Sequence, residues 1–245
     1  MKTTHKPKLI GAALLGALLF PTASAFAEET NHWRVDTSLN LFLAGLSGDV
    51  TARGIPAELD LSFGDIVENL EFAAAGRITV GYDRWSLSTE VSFMGLGAST
   101  RAASVDMDQW LVEPTVGYRF CKWFEGFAGA RYNRIDGEIR FKGPLGKVAT
   151  GTQDWWDPIV GAQLSLPVVG KNLTFDGRFD AGGFGAGSDL TWQAFPYLNW
   201  RFAKWGSAQL GYRWLGTDYE TGSGTSRFVY DVVVQGPQIG FTMHF

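Results

Sequence analysis

One cysteine, Cys121, and three histidines, His5, His32 and His244, occur in 245 residues. A single cysteine excludes an intrachain disulfide framework, and Cys121 is expected to be a small buried residue. Three scattered histidines leave no His-rich metal site and little scope for His-dependent catalysis. A basic excess is lacking too: 21 Lys and Arg face 25 Asp and Glu, a net charge of −4. That balance argues against a nucleic-acid partner. No run of 18 apolar residues occurs, so no transmembrane helix is expected. Glycine and aromatics are abundant instead, with 31 Gly, 10 Trp, 7 Tyr and 18 Phe in a chain that is 45% hydrophobic. Such a chain is too apolar for disorder and long enough for a large domain.

Residues 1–27 have the features of a secretory signal peptide. Lys2, Lys6 and Lys8 precede the 12-residue apolar stretch Leu9 to Phe20, and Ala25-Phe26-Ala27 supplies small residues for cleavage. The apolar stretch is too short to span a bilayer as a helix. Residues 28–245 are then the mature domain, and losing three lysines takes its net charge to −7.

Along that domain the dominant period is two, which marks strands with unlike faces. Trp85, Leu87, Thr89, Val91 and Phe93 alternate with Ser86, Ser88, Glu90 and Ser92. Leu210, Tyr212 and Trp214 alternate with Gln209, Gly211 and Arg213. About ten such segments are expected: 33–44, 72–82, 85–97, 105–120, 123–136, 155–166, 172–184, 190–202, 205–219 and 228–245. Most reach the roughly 9–11 residues that a tilted strand needs to cross a bilayer. Short connectors such as Asp83-Arg84, Cys121-Lys122 and Ala203-Lys204 alternate mostly with longer ones at 45–71, 98–104, 137–154 and 220–227. Tyr82, Trp85, Tyr118, Phe120, Trp123, Trp200, Phe202, Trp205 and Phe245 sit by the short turns. Phe93, Trp110, Tyr132, Trp156, Trp192, Trp214 and Phe228 sit toward the long loops. Aromatic rings favour membrane interfaces because one end is apolar and the other can hydrogen-bond. The expected fold is all-β: a closed antiparallel up-and-down transmembrane β-barrel of about ten strands, with eight or twelve as alternatives.

The ending Ile239-Gly240-Phe241-Thr242-Met243-His244-Phe245 places Phe241, Met243 and Phe245 on one face. With the signal peptide and the alternating strands, it resembles small bacterial outer-membrane β-barrel proteins of the OmpA/OmpW-like superfamily. The resemblance implies location in the bacterial outer membrane, contact with its lipid and lipopolysaccharide, and recognition of Phe241, Met243 and Phe245 by the barrel-assembly machinery. It selects no function and no small-molecule ligand.

Two segments depart from simple hairpins. In 45–71, Phe63, Ile66, Val67 and Leu70 share a face, and Asp65 can cap a short helix. This loop reads either as a lid over the barrel mouth or as a packed external loop. Gly182 to Gly187 is glycine-rich, but a strand follows it, so it reads as a tight bend rather than a phosphate loop.

The inward face is charged. Its basic members are Arg34, Arg77, Arg119, Arg131, Arg178 and Arg213; its acidic members are Asp36, Glu90, Glu113, Asp157, Asp176 and Asp180, with Asp231 assigned to the same face. Unpaired charges in a narrow lumen cost several kcal/mol, so near-balanced signs point to an internal ion-pair network. A selectivity lining is the alternative. Asp106 with Asp108, and Asp154 with Asp157, are weak candidates for a divalent cation. His32 and His244 both fall at the short-turn end, away from the rim where barrel proteases and lipid hydrolases would need them. The expectation is a structural or narrow-channel barrel without enzymatic activity, cofactor or metal. A binding module for a small apolar ligand or for an envelope or host partner through the external loops, and an enzyme acting on lipid A or peptides, are the alternatives.

Overall fold

A computed structural model describes residues 33–52, 55–61, 70–99, 103–141, 148–170 and 172–245. Twelve strands form one antiparallel sheet: β1 (Trp33–Phe42), β2 (Gly45–Ala52), β3 (Ile55–Leu61), β4 (Leu70–Tyr82), β5 (Trp85–Ser99), β6 (Ala103–Cys121), β7 (Phe124–Phe141), β8 (Val148–Val169), β9 (Leu173–Gly183), β10 (Leu190–Trp200), β11 (Gly206–Thr221) and β12 (Phe228–His244). Ten of them, β1 and β4 to β12, pair consecutively, and β1 pairs with β12 to close a barrel. Closure removes every sheet edge from lipid, where unpaired backbone groups cannot be satisfied.

The remaining two strands are the unexpected element. β2 continues the path of β1 and pairs with the far half of β12, and β3 pairs back onto β2. At the bend between β1 and β2, a Cβ on Gly236 would lie 1.9 Å from the Leu43 carbonyl oxygen. Gly48 has φ +141, and its Cβ would lie 2.1 Å from the Asp231 carbonyl oxygen. Only glycine allows both close approaches.

The helix expected in this first connection finds no support. Leu70 already belongs to β4, and residues 62–69 lie outside the described residues. The only helical turn among the described residues is the 3-10 turn Gly224–Ser226. Several strands also outrun their expected ends: β7 continues to Phe141 and β8 begins at Val148. Cys121 is exposed, not buried, because the register slips between Arg119 and Cys121 where β6 enters its turn.

Both faces change character along the strands. On the outward face, Val116 and Trp110 give way to Asp108 and Asp106; Val160 and Trp156 give way to Asp154 and Thr152; Leu210 and Tyr212 give way to Asp218 and Glu220. On the inward face the order reverses. Arg131 is followed by Ile135, Arg213 by Leu215 and Tyr219, and Gln238 by Val234 and Val232, all buried. The long-loop third of the barrel therefore has an apolar core and a wet exterior. The remainder has a polar interior and an exterior of exposed Leu, Val, Ile and aromatic side chains. That exterior matches a bilayer, and the upper third matches water.

Candidate functional site: the closed lumen

Paired rings mark the edges of the apolar band. Trp33–Tyr82, Trp85–Tyr118 and Trp200–Phe202 pack near the short turns, at centroid distances of 4.7, 4.9 and 5.8 Å. Phe93–Trp110, Tyr132–Trp156 and Tyr212–Trp214 pack toward the long loops, at 4.7, 5.0 and 4.4 Å. Four of these pairs, Trp33–Tyr82, Trp85–Tyr118, Phe93–Trp110 and Tyr132–Trp156, reach across neighbouring strands, and such pairs add stability beyond their buried area.

Between these levels, alternation aims the charged residues inward and barrel closure brings distant strands together. Arg131 of β7 is wholly buried. Its Nε donates to Glu113 Oε1 at 2.7 Å, its Nη2 to Asp180 Oδ1 at 2.8 Å and its Nη1 to Thr191 Oγ1 at 2.8 Å. Arg178 Nη2 donates to the other Glu113 oxygen at 2.9 Å, and its Nε lies 3.4 Å from Asp180 Oδ2. Glu90 holds Arg77 at 2.6 Å and Arg213 at 2.9 Å, and Arg213 also donates to Gln193 Oε1 at 2.6 Å. Four guanidiniums and three carboxylates from strands β4, β5, β6, β7, β9 and β11 thus form one layer across the lumen. Planar guanidinium forks that meet carboxylates in this way recover much of the desolvation cost of burying the charges.

The other inward candidates lie outside that layer. Arg34 pairs with Asp36 at 3.1 Å and Arg119 with Glu125 at 3.6 Å, both at the short-turn end. Asp176 accepts from Ser165 Oγ at 2.7 Å. Asp157, expected to pair with a cation, instead accepts from the Ser188 backbone N–H at 2.6 Å, Ser188 Oγ at 2.7 Å and Trp155 Nε1 at 3.0 Å. Ser188 reaches it because the bend after β9, where Gly183, Phe184 and Gly185 have φ of +85, +51 and +75, folds back into the lumen.

Asp231 corrects its assignment. Val232 is buried, so Asp231 faces outward, in register with Asp218 on one side and Asp49 on the other. There, beyond the aromatic band, partial burial pushes the Asp218 carboxyl above its ordinary range, and Asp231, Asp189 and Glu220 add to the shift. Asp154 and Asp157 cannot share a cation, since Asp154 is exposed and Asp157 buried on the opposite face. Asp106 lies 3.5 Å from Arg140.

Below the charge layer is a cavity of about 320 Å³, lined among others by Arg34, Asp36, Glu90, Asn199, Ser207 and His244. Glu125, Ser188, Thr191, Gln193 and Ser207 join the interior without having been singled out in the sequence. For the four that lie in strands the one signal is the inward parity of their strand; Ser188 lies in the bend after β9 and carries none.

Neither a protein-family model nor a curated protein matches the chain. Among solved structures it is similar to the outer membrane protease OmpT of Escherichia coli, at 8% identity over 87% of this chain and 96% of that one, with a TM-score of 0.50. It is also similar to Ail, the attachment invasion locus protein of Yersinia pestis, at 10% identity over 86% and 98%, TM-score 0.43. Neisserial surface protein A matches at 11% identity over 87% and 97%, TM-score 0.34. The likeness to the protease shows a fold shared with a bacterial outer-membrane β-barrel, and the apolar band with its aromatic borders suits that fold to a bilayer.

Proposed function

We propose that this chain is an integral outer-membrane protein with a structural role, whose lumen is shut to solutes. The observation that carries the reading is the buried charge layer, in which Arg131, Glu113, Arg178 and Asp180 join β6, β7 and β9, and Glu90 joins Arg77 and Arg213 of β4 and β11 across the bore. The apolar cluster of Met107, Leu111, Ile135, Trp155, Leu215, Tyr219 and Val232 lies above it. A ten-stranded barrel is little wider than an eight-stranded one, which side chains can fill. Residues 1–27 serve as the export signal, Phe241, Met243 and Phe245 as the assembly signal, and lipopolysaccharide and lipid as the surroundings of the apolar band. Both termini then face the periplasm. Reconstitution in planar bilayers tests the reading: the intact protein is expected to give no porin-like current, and large stable single-channel steps would overturn it.

A second reading has its own support. β6, β7 and β8 rise past the outer aromatic level with a solvated exterior and a packed interior. Such a stalk holds loops away from the lipid surface, where they would meet an envelope or host partner. Binding that is lost when 142–147 is replaced by a short turn would support it.

A further inference from the structure

The cavity below the charge layer contains a chain of three hydrogen-bonded groups. His244 Nδ1 lies 2.7 Å from Asp36 Oδ1, and His244 Nε2 lies 3.1 Å from Ser207 Oγ. The three residues come from β12, β1 and β11, which are adjacent in the barrel. A carboxylate only accepts, so Nδ1 carries a proton, and in the neutral imidazole Nε2 offers its lone pair. The Ser207 hydroxyl is then the donor to Nε2. Asp36 is held on its other oxygen by Arg34 at 3.1 Å. All three side chains line the cavity, whose mouth includes the exposed Cys121 and Lys122.

We propose that Ser207 is a nucleophile, with His244 as its base and Asp36 as the positioning residue, acting on short-chain esters of polar alcohols that enter from the short-turn end. The walls near it are Asn40, Gln209, Gln238 and Thr242, which suit a polar alcohol and offer no slot for a long acyl chain. In the reaction, Ser207 Oγ bonds to the ester carbonyl carbon while its proton passes to His244 Nε2. The ester C–O bond breaks, and the leaving alkoxide takes that proton. Water then adds to the acyl-serine, gives a proton to Nε2 and releases the acid, and Oγ regains its proton. In the register of β11 on β12, Ser207 faces Thr242, so its backbone N–H serves the sheet. The oxyanion must therefore be met by side chains. Acylation is expected to be slow, and covalent capture is the more sensitive readout.

The test treats the folded, detergent-solubilised barrel with a small alkyl fluorophosphonate. Oγ–P forms, P–F breaks, fluoride leaves and His244 takes the serine proton. Mass mapping is expected to find one adduct, on Ser207, in native protein and none after heat unfolding. His244→Gln should slow labelling at least tenfold. Asp36→Asn should slow it while leaving one label per chain at completion. Ser88→Ala, which alters another serine of the same cavity, should label normally. Hydrolysis of 4-nitrophenyl acetate should fall at least tenfold in Ser207→Ala, with heat-shifted gel mobility confirming that each variant has folded. An unlabelled Ser207 in folded wild-type protein, or labelling that His244→Gln leaves unchanged, overturns the proposal.

Discussion

Trp155 and Tyr219 stack at 3.9 Å with their planes 5° apart. They face each other because β9 and β10 are short. The β9–β10 hairpin reaches only the level of Ile159, whereas β8 and β11 run on beyond it. The stacked rings bridge β8 and β11 where no strand lies between, and Trp155 is tied down by Nε1 bonds to Ser188 and Asp157.

Trp155→Ala should therefore cost about 3–5 kcal/mol, the range for emptying a buried aromatic site. It also strips a donor from Asp157. Trp155→Phe keeps much of the stack and should cost clearly less. Urea titration of the refolded barrel in lipid vesicles measures both, and equal costs would remove the bridging role.

Removing one member of the charge layer should cost more than removing a matched pair. Arg131→Ala leaves Glu113 without its 2.7 Å partner and Asp180 without its 2.8 Å partner. About 3–5 kcal/mol is expected, as for other broken buried pairs, together with a small leak current. Arg131→Met with Glu113→Leu removes both charges and should recover part of that loss. Vesicle unfolding and bilayer recordings on the same preparations give the answer; a single substitution that costs under 1 kcal/mol would contradict the buried-layer account.

The ten barrel strands were legible because the bilayer imposes period two and places aromatics at both interfaces. Leu210 outward and Gln209 inward follow from that alternation, and Leu210 is 58% exposed. What was not legible depends on closure. Arg131 meets Asp180 two strands away, and Arg213 meets Glu90 across the bore, and no local pattern encodes such meetings. Asp157 looked like half of an ion pair because only its parity was visible, not the bend that delivers Ser188. The contact between Ser207 and His244 escaped notice because 37 residues separate them. β2 and β3 were read as loop because above the membrane the rule for which face is polar inverts. Asp231 was misplaced for the same reason.

Asp218 supplies a pH signature. Partial burial comes first among the causes that raise its carboxyl, followed by the neighbouring Asp231, Asp189 and Glu220. A raised value means that the folded state holds the proton more tightly than the unfolded chain. That contribution is fully present below the ordinary value of 3.8 and is lost as pH rises through the higher folded value. Asp218→Asn should thus stabilise the barrel at neutral pH by less than about 1 kcal/mol, the scale of exposed charge interactions. The difference should vanish in acid below 3.8. Thermal unfolding at pH 7 and pH 3 compares the two; a gain that persists at pH 3 would point to a cause other than charge.

Phe245 lies 63% exposed at the end of β12, and its backbone exchanges hydrogen bonds with Val35 at the closing seam. Deleting it removes both the terminal ring and part of the seam. Export across the inner membrane should continue, while unassembled protein accumulates in the periplasm. Cell fractionation with a heat-shift gel reads the outcome, and normal outer-membrane levels of heat-modifiable protein would count against the assembly role.

The inversion of the two faces gives the sharpest test of where the membrane ends. Leu210 points outward within the apolar band, so Leu210→Arg should cost about 2–4 kcal/mol. Its neighbour Gln209 bonds Asn40 in the lumen, and Gln209→Ala should cost about 0.5–1.5 kcal/mol, the net worth of one hydrogen bond. Above the outer aromatics the order should reverse. Val232 is 1% exposed in the apolar core of the stalk, so Val232→Asp buries an unpaired carboxylate and should cost several kcal/mol. Asp231→Val, one residue away on the exposed outer face, should stay within about 0.5 kcal/mol. It also removes one of the charges that repel Asp218. The two pairs sit at different heights with opposite face assignments, so a barrel bathed in lipid along its whole length would make Asp231→Val strongly stabilising. Unfolding titrations in vesicles separate the two cases: only a barrel whose last third stands in water gives a polar-inside rule below Trp214 and an apolar-inside rule above it.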